Sequence, residues 1–201
     1  MLLFFLNLSL NKFGSGKTKS VPHSPGLPYV LRMLNRFGMA DCNSKIVPAD
    51  PFTDLMTIDL QGEDSQEFDQ SIYREAVGSI MYLMVCTRPD IALAVGKVAK
   101  QCSKPKMAHW SAVKRIMAYL KGTASHGISY HATGFPDLLL SYSDSDYAGD
   151  LQSRRSTSCY LLMFHGGIIT WASRRQSYVS LSTTEAEYVA MCEATNEVTG
   201  M

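Results

Sequence analysis

The chain has 201 residues, enough for one or two small domains with a hydrophobic core. Its 19 lysine and arginine residues nearly balance 18 aspartate and glutamate residues, which argues against strong nonspecific binding of nucleic acid, because such binding needs a clustered positive field. The five cysteines include no CxxC pair, which argues against a disulfide framework and against a zinc site.

The first ten residues, MLLFFLNLSL, are apolar except for Asn7 and Ser9. This run is too short to span a bilayer, so no membrane span is predicted, but its length suits the core of a signal peptide. We interpret residues 1–16 as a signal peptide in which Gly14 and Gly16 supply the small residues of a cleavage site. No lysine or arginine precedes the run, so a leader without a targeting role is the alternative.

Residues 17–70 are predicted to form a linker that contains one short helix and an acidic loop. The amphipathic pattern of Tyr29–Phe37 predicts the helix, which Gly38 ends. The run GEDSQEFD predicts a solvated loop rather than a site, because charge runs usually face water.

Residues 71–125 are predicted to be helical. Apolar residues recur at helical spacing in Ser71–Cys86, and Arg88-Pro89-Asp90 then interrupts the pattern. Two further helices are predicted over Ile91–Cys102 and Met107–Leu120. Three polar or aromatic side chains on the last helix are expected to pack in the interior rather than bind a ligand: His109, Trp110 and Tyr119.

From Leu138 onward the apolar pattern has a period of two, which is typical of strands. Three antiparallel strands are predicted over Leu138–Asp144, Thr157–His165 and Ile168–Ser173, and the first is expected to be buried. Gly166-Gly167 is predicted to form the tight turn between the last two strands. A helix over Ser182–Val198 is expected to pack on this sheet.

Three carboxylates, those of Asp144, Asp146 and Asp150, follow the first predicted strand. Carboxylates held at a strand end suit a hard cation such as Mg²⁺, although a solvated turn with Asx-type hydrogen bonds is the more ordinary explanation of this spacing. Glu185 and Glu187 lie in the first turn of the last helix, where the helix dipole also favours acidic residues.

Several of these segments resemble one family. YSDSDYAGD, RRSTSCYLLMF and GGIITWASRRQSYVSLSTTEAEYVA resemble the RNase H domain of Ty1/copia-type retrotransposon Pol polyproteins, and YREAVGSIMYLMVCTRPDIALAV and HWSAVKRIMAYLKGT resemble the tether that precedes it. The resemblance implies an α+β fold. In that fold, residues 71–125 form a helical tether, and residues 126–201 form an incomplete RNase H-like domain with three antiparallel strands and one helix.

RNase H cleaves the RNA of an RNA–DNA hybrid with two bound metal ions. By resemblance, Asp144 matches the aspartate of the first strand and Glu187 matches the helix glutamate, because EYVA fits the family's E-x-x-A step better than the sequence at Glu185 does. The family's other two acidic residues are expected beyond this helix. Asp144 and Glu187 are therefore predicted to be vestigial catalytic residues and weak metal ligands. No cofactor is expected, with Mg²⁺ relevant only to residual nuclease activity, and the chain is predicted not to be an enzyme.

A second resemblance concerns the first part of the chain. The apolar leader, then Arg32-Met33-Leu34-Asn35, then the acidic run from Glu63 resemble the order of motifs in secreted RxLR-type effectors of oomycete plant pathogens. Asn35 stands where that motif has arginine, and an ordinary amphipathic helix explains the same four residues.

Two functional hypotheses follow from these resemblances. The first is a secreted effector that enters the host cell, in its cytoplasm or nucleus, and suppresses defence or cell death by contacting unidentified host proteins, with weak or absent nucleic-acid binding. The second is an intracellular retrotransposon remnant with weak or no RNase H activity.

Overall fold

The structure is a computed structural model that describes residues 26–50, 55, 62–130, 137–150 and 152–201. The predicted signal peptide, with Gly14 and Gly16, lies outside the described residues. The chain divides after Gly127 into two compact units. We call the described part of residues 26–127 the helical unit and that of residues 128–201 the sheet unit. Helices and an antiparallel sheet together confirm the predicted α+β class.

Four helices form the helical unit: α1 (Leu27–Arg36), α2 (Gln70–Cys86), α3 (Ala92–Ala99) and α4 (Met107–Gly122). Helix α1 begins two residues before the predicted start, with Pro28 in its first turn, where the N–H that proline lacks has no helical partner. Helix α3 begins one residue later than predicted, because Pro89–Ile91 forms a separate 3-10 turn before it, and it ends three residues earlier, at Ala99. A second 3-10 turn covers Gly62–Ser65.

The core of the helical unit is built from apolar side chains at helical spacing. All four helices contribute, among others, Leu34, Ile80, Val95, Ile116 and Leu120. The packing roles predicted on α4 are confirmed: His109 and Tyr119 are buried, and the Trp110 ring stacks on Phe68 with their centroids 4.5 Å apart.

The segment that interrupts the helical pattern holds a buried ion pair between Arg88 and Asp90. Arg88 Nη1 also donates a 2.9 Å hydrogen bond to the Thr123 carbonyl oxygen, and the Tyr119 hydroxyl donates to Asp90 Oδ2 at 2.7 Å. These bonds connect the start of α3 to the end of α4. The network leaves neither charge of the buried pair uncompensated at the break between α2 and α3.

The sheet unit contains β1 (Leu140–Asp146), β2 (Thr157–Phe164), β3 (Gly167–Arg175) and α5 (Thr183–Thr199). The strands form an antiparallel sheet in the order β1-β2-β3, and α5 packs on β1 and β2. Helix α5 begins after Ser182, whose side chain accepts a hydrogen bond from the Glu185 N–H and so caps the helix.

The prediction that the first strand is buried is wrong. Leu138, Leu140 and Tyr142 are all exposed, with 54%, 40% and 38% of their surface accessible. Strand β1 lies at the edge of the described sheet, where β2 is its one pairing partner. An apolar run predicts a strand from its pattern alone, but burial depends on the neighbours that the strand acquires.

The predicted turn is displaced by one residue. The two turn residues are His165 and Gly166, with φ angles of +48° and +75°, and Phe164 pairs with Gly167. Two residues with positive φ are typical of a type I′ hairpin turn. Gly167 belongs to β3 instead, where a side chain would collide with the Tyr130 ring.

Candidate functional site

The first predicted site residue, Asp144, lies in β1 opposite Cys159 of β2. The neighbouring β2 residue, Tyr160, donates a 3.0 Å hydrogen bond to Glu197 of α5, so Tyr160 lies on the face that α5 covers. Because side chains alternate along a strand and directly paired residues share a face, Asp144 lies on the opposite face. Its half-buried carboxylate accepts a 3.0 Å bond from the Ser145 N–H.

The second predicted site residue, Glu187, lies in the first turns of α5 and is exposed. Helix α5 packs on the sheet through small residues one turn apart: Ala186, Ala190 and Ala194. The structure therefore places Asp144 on the sheet face away from α5 and Glu187 on the exposed surface of α5. Their catalytic and metal-binding roles stay a prediction.

Glu185 has a structural role at the start of α5. Ser182 Oγ accepts a 3.1 Å hydrogen bond from the Glu185 N–H, and Glu185 Oε2 accepts a 2.6 Å bond from the Leu181 N–H. This arrangement differs from a capping box in that the glutamate accepts from the N–H of Leu181, the residue before the N-cap, rather than from that of Ser182. The S-x-x-E spacing carries that signal in the sequence.

Asp150 also serves the fold. Its carboxylate is buried, accepts a 3.0 Å bond from Arg175 Nη1, and accepts a 3.2 Å bond from the Ser153 N–H. The last of these is the Asx-type contact of a turn. Asp146 is exposed at the end of β1, where its carboxylate lies so close to Gly149 that a side chain there would collide with it. Of the three acidic residues after the apolar run, one is thus held in an ion pair.

Across the described ranges, no group of three or more histidine, cysteine, aspartate or glutamate side chains lies close enough together to hold a metal ion. Cys159 is nearest in register to Asp144, and its Sγ donates a 3.4 Å hydrogen bond to Ser173 Oγ. Burial raises the pKa of the Cys159 thiol, and the charges of Asp144 and Asp146 add to that rise. The raised pKa favours the neutral thiol form of Cys159.

The four residues predicted to form a translocation motif all lie in α1. Met33 and Leu34 are buried in the core of the helical unit, whereas Arg32 and Asn35 are exposed. This is the pattern of an ordinary amphipathic helix. The translocation role of Arg32, Met33, Leu34 and Asn35 stays a prediction.

The helical unit contains a cleft that the sequence analysis missed. It has a volume of about 620 Å³ and is lined by the segment that follows α1 and by α3 and α4. Its residues come from three distant parts of the chain, so no local motif or periodicity marks it. We call it the helical-unit cleft.

No helix in the described part of the chain is both long and apolar enough to cross a membrane.

Comparisons with known proteins give several relatives, although no protein-family model and no solved structure matches the chain. It is 41% identical over 172 residues to a retrovirus-related Pol polyprotein from the tobacco (Nicotiana tabacum) transposon TNT 1-94, a match that covers 85% of this chain and 13% of the polyprotein. It is 50% identical over 125 residues to secreted RxLR effector protein 161 of Plasmopara viticola, covering 62% of this chain and 87% of that protein.

A third relative, an uncharacterised mitochondrial protein of Arabidopsis thaliana, is 32% identical over 196 residues, which are 98% of this chain and 77% of that protein. A retrovirus-related Pol polyprotein from the Arabidopsis thaliana transposon RE1 is 33% identical over 197 residues, which are 98% of this chain and 13% of that polyprotein. The chain therefore spans only a small part of the Pol polyproteins it matches. Over most of its length the chain is thus similar to retrotransposon Pol polyproteins.

Proposed function

We propose that the chain is a remnant of a retrotransposon Pol polyprotein, corresponding to part of its RNase H domain and the helices before it, with weak or no ribonuclease H activity. The observation that carries this proposal is the match to the tobacco Pol polyprotein, which runs through 85% of the chain at 41% identity. Of the two hypotheses from the sequence, this remnant hypothesis has the broader support.

The arrangement of the carboxylates supports weak activity. Two divalent cations held close together need several carboxylates to balance their charge and fix their geometry. Here Asp144 and Glu187 lie on different sides of the sheet, Asp150 is paired with Arg175, and Glu185 caps α5. We therefore expect the remaining carboxylates to bind Mg²⁺ weakly and to position an attacking water poorly.

A cleavage assay on a labelled RNA–DNA hybrid with Mg²⁺ tests this proposal. We expect the purified chain to cleave no faster than its Asp144→Asn and Glu187→Gln variants, so that any common background comes from contaminating nuclease. Asp41→Asn, an exposed substitution in the helical unit, is the matched control. Mg²⁺-dependent turnover that Asp144→Asn abolishes and Asp41→Asn preserves would contradict the proposal.

The second candidate is the secreted effector that acts on host proteins inside the host cell. It is supported by the 50% identity to a protein named as a secreted RxLR effector, of which this chain matches 87%. Export can be tested by fusing residues 1–27 to a reporter, with a Leu3→Arg variant that interrupts the apolar run as the control. Secretion and cleavage of the unmodified fusion alone would favour this candidate, and retention of both fusions in the cytosol would argue against it.

Entry into the host cell needs a separate test, because two residues of the predicted motif are core residues. Leu34 is 1% exposed, so its replacement changes stability together with any translocation. Arg32 is exposed, so Arg32→Gln changes the motif while leaving the core intact. The effector hypothesis expects Arg32→Gln to reduce host-cell uptake, whereas Arg74→Gln, another exposed arginine of the same unit, should leave uptake unchanged.

A further inference from the structure

The helical-unit cleft has the size and the floor of a small-molecule site. Its volume of about 620 Å³ falls in the range of ligand pockets, about 300–1,000 Å³. Apolar side chains of α3 and α4 are among those that line it, and we call these five its floor: Ala94, Val98, Ala108, Ala112 and Ile116. An apolar part of a ligand could bury its surface against these side chains, which provide few hydrogen-bonding groups.

The rim of the cleft is predominantly cationic. We use the word rim for the six charged side chains of the lining, four cations and two carboxylates: Lys45, Lys97, Lys114 and Arg115, and Asp50 and Asp64. The backbone N–H of Lys45 donates a 3.2 Å hydrogen bond to the Ala118 carbonyl oxygen, which fixes that part of the rim on α4. Because cations outnumber carboxylates in this lining, the net charge of the cleft favours anions.

Arg115 is the cation best placed to bind such an anion. Its Nη1 forms a long ion pair with Asp50 Oδ2 at 3.9 Å, beyond hydrogen-bond distance, whereas its buried Nε has no acceptor among the described residues. A buried donor without an acceptor is unfavourable. A carboxylate that approaches a guanidinium side-on accepts from Nε and from one terminal nitrogen together, which would satisfy this donor.

We propose that the helical-unit cleft binds a small amphiphilic monocarboxylate, with the apolar body on the alanine-rich floor and the carboxylate on Arg115. The small apolar floor favours an alkyl or aryl body over a hydrated polyanion, and the guanidinium fork matches a planar carboxylate. This inference goes beyond the proposed function and does not depend on it.

Calorimetric titration of the full chain with dodecanoate, below its micelle concentration, tests the affinity. Dodecyltrimethylammonium has the same chain with the opposite charge and is the matched ligand control. We expect saturable binding of dodecanoate with a stoichiometry of one, about tenfold or more tighter than that of the cation. Equal affinity for the two, or no saturable binding of dodecanoate, would overturn the proposal.

Variants test the assigned residue. Arg115→Gln should weaken dodecanoate binding about tenfold or more, whereas Arg32→Gln, on the exposed face of α1, should leave it unchanged. Should circular dichroism show that Arg115→Gln is unfolded, Ala112→Leu replaces it, because it fills the floor while keeping every charge. Unaltered binding by a folded Arg115→Gln or Ala112→Leu protein would contradict the assignment.

Thiol labelling tests the location independently of affinity. Cys42 lines the cleft, whereas Cys86 is exposed on α2 outside the cleft lining. We expect dodecanoate to slow the reaction of Cys42 with iodoacetamide, read by peptide mass spectrometry, and to leave Cys86 unaffected. Equal rates for Cys42 with and without dodecanoate would show that the ligand binds elsewhere and would overturn the proposal.

Discussion

Arg88 and Asp90 form a bidentate ion pair inside the helical unit, with Nε 2.9 Å from Oδ1 and Nη2 2.7 Å from Oδ2. Their side chains are only 2% and 3% exposed. Burial alone would lower the pKa of Arg88, but the hydrogen bonds and the charge of Asp90 raise it above its ordinary value. Each partner thus compensates the buried charge of the other. Removing either one alone would strongly lower the free energy of unfolding.

The first prediction concerns this pair. Asp90→Ala should lower the free energy of unfolding of the helical unit by about 3–5 kcal/mol, because it leaves a buried guanidinium without its carboxylate. Urea unfolding followed by Trp110 fluorescence in a Trp171→Phe background measures the change. Asp41→Ala removes an exposed carboxylate of the same unit and should alter stability little. A loss no larger than that of Asp41→Ala would contradict the structural role of the pair.

The second prediction concerns Gln176, a buried amide of the sheet unit. Its Nε2 donates 3.0 Å bonds to Ser158 Oγ and to the Ala186 carbonyl oxygen, and its Oε1 accepts from Ser180 Oγ at 2.7 Å. Gln176→Leu leaves those groups without a partner and should destabilise the sheet unit by about 1–3 kcal/mol. Trp171 fluorescence in a Trp110→Phe background reports the unfolding of this unit.

The matched control for that substitution is Gln152→Leu, which changes an exposed glutamine on the loop before β2. It should change the unfolding free energy by at most about 0.5 kcal/mol. Equal effects of the two substitutions would mean that the bonds of Gln176 do not stabilise the contact between the sheet and α5.

The third prediction is a dependence of stability on pH. Burial lowers the pKa of His109, as does the nearby Lys106 charge, against the opposing effect of the Leu55 carbonyl oxygen. Burial and the charge of Arg88 lower the pKa of His126. A lowered pKa in the folded state means that protonation favours unfolding. The stability of the helical unit should therefore be complete above about pH 6.5 and decline as the pH falls through the folded-state values.

Urea unfolding between about pH 7 and about pH 5 checks this prediction. His109→Gln and His126→Gln should each reduce the slope of stability against pH, and the double variant should reduce it most. His165→Gln, in the hairpin turn of the other unit, should leave the slope of the helical unit unchanged. An unchanged slope in the double variant would assign the pH dependence to other groups.

The fourth prediction is that replacing two glycines by alanine has opposite effects on stability, because their surroundings differ. A methyl group at Gly167 would collide with the Tyr130 ring and lie 2.8 Å from the Ser129 carbonyl oxygen, whereas nothing lies within 4 Å of one at Gly78 in α2. Gly167→Ala should destabilise the sheet unit by about 1–3 kcal/mol. Gly78→Ala should stabilise the helical unit by about 0.5–1 kcal/mol. Unit-specific tryptophan fluorescence measures both, and opposite signs are the expected result.

The sequence predicted the helices well, because their ends carry local chemistry. Ser182 caps α5, Pro28 lies in the first turn of α1, and the periodic pattern of α2 begins within one residue of the prediction. The turn between β2 and β3 was misplaced because Gly166 and Gly167 are identical in sequence. One provides a positive φ and the other permits the approach of Tyr130, and only the strand register tells them apart.

The site was predictable only in part. The motif around Asp144 and the E-x-x-A step at Glu187 identify candidate residues, but the sheet face on which Asp144 lies depends on the pairing of β1 with β2. The prediction that the first strand is buried was wrong for a related reason, since the hydrophobicity of a strand does not reveal which neighbours it packs against. The cleft depends on distances between α3, α4 and the segment after α1, and no pattern within one segment encodes those.

The cap that Glu185 makes at the start of α5 has an evolutionary consequence. Glu185 and Glu187 are two residues apart, yet only Glu185 contributes its side chain to the start of the helix. Lineages in which selection preserves nothing beyond foldability should retain an acid at position 185 and drift freely at position 187. Lineages selected for phosphodiester chemistry should retain both, so substitution rates at these neighbouring codons would distinguish a decaying copy from a working nuclease.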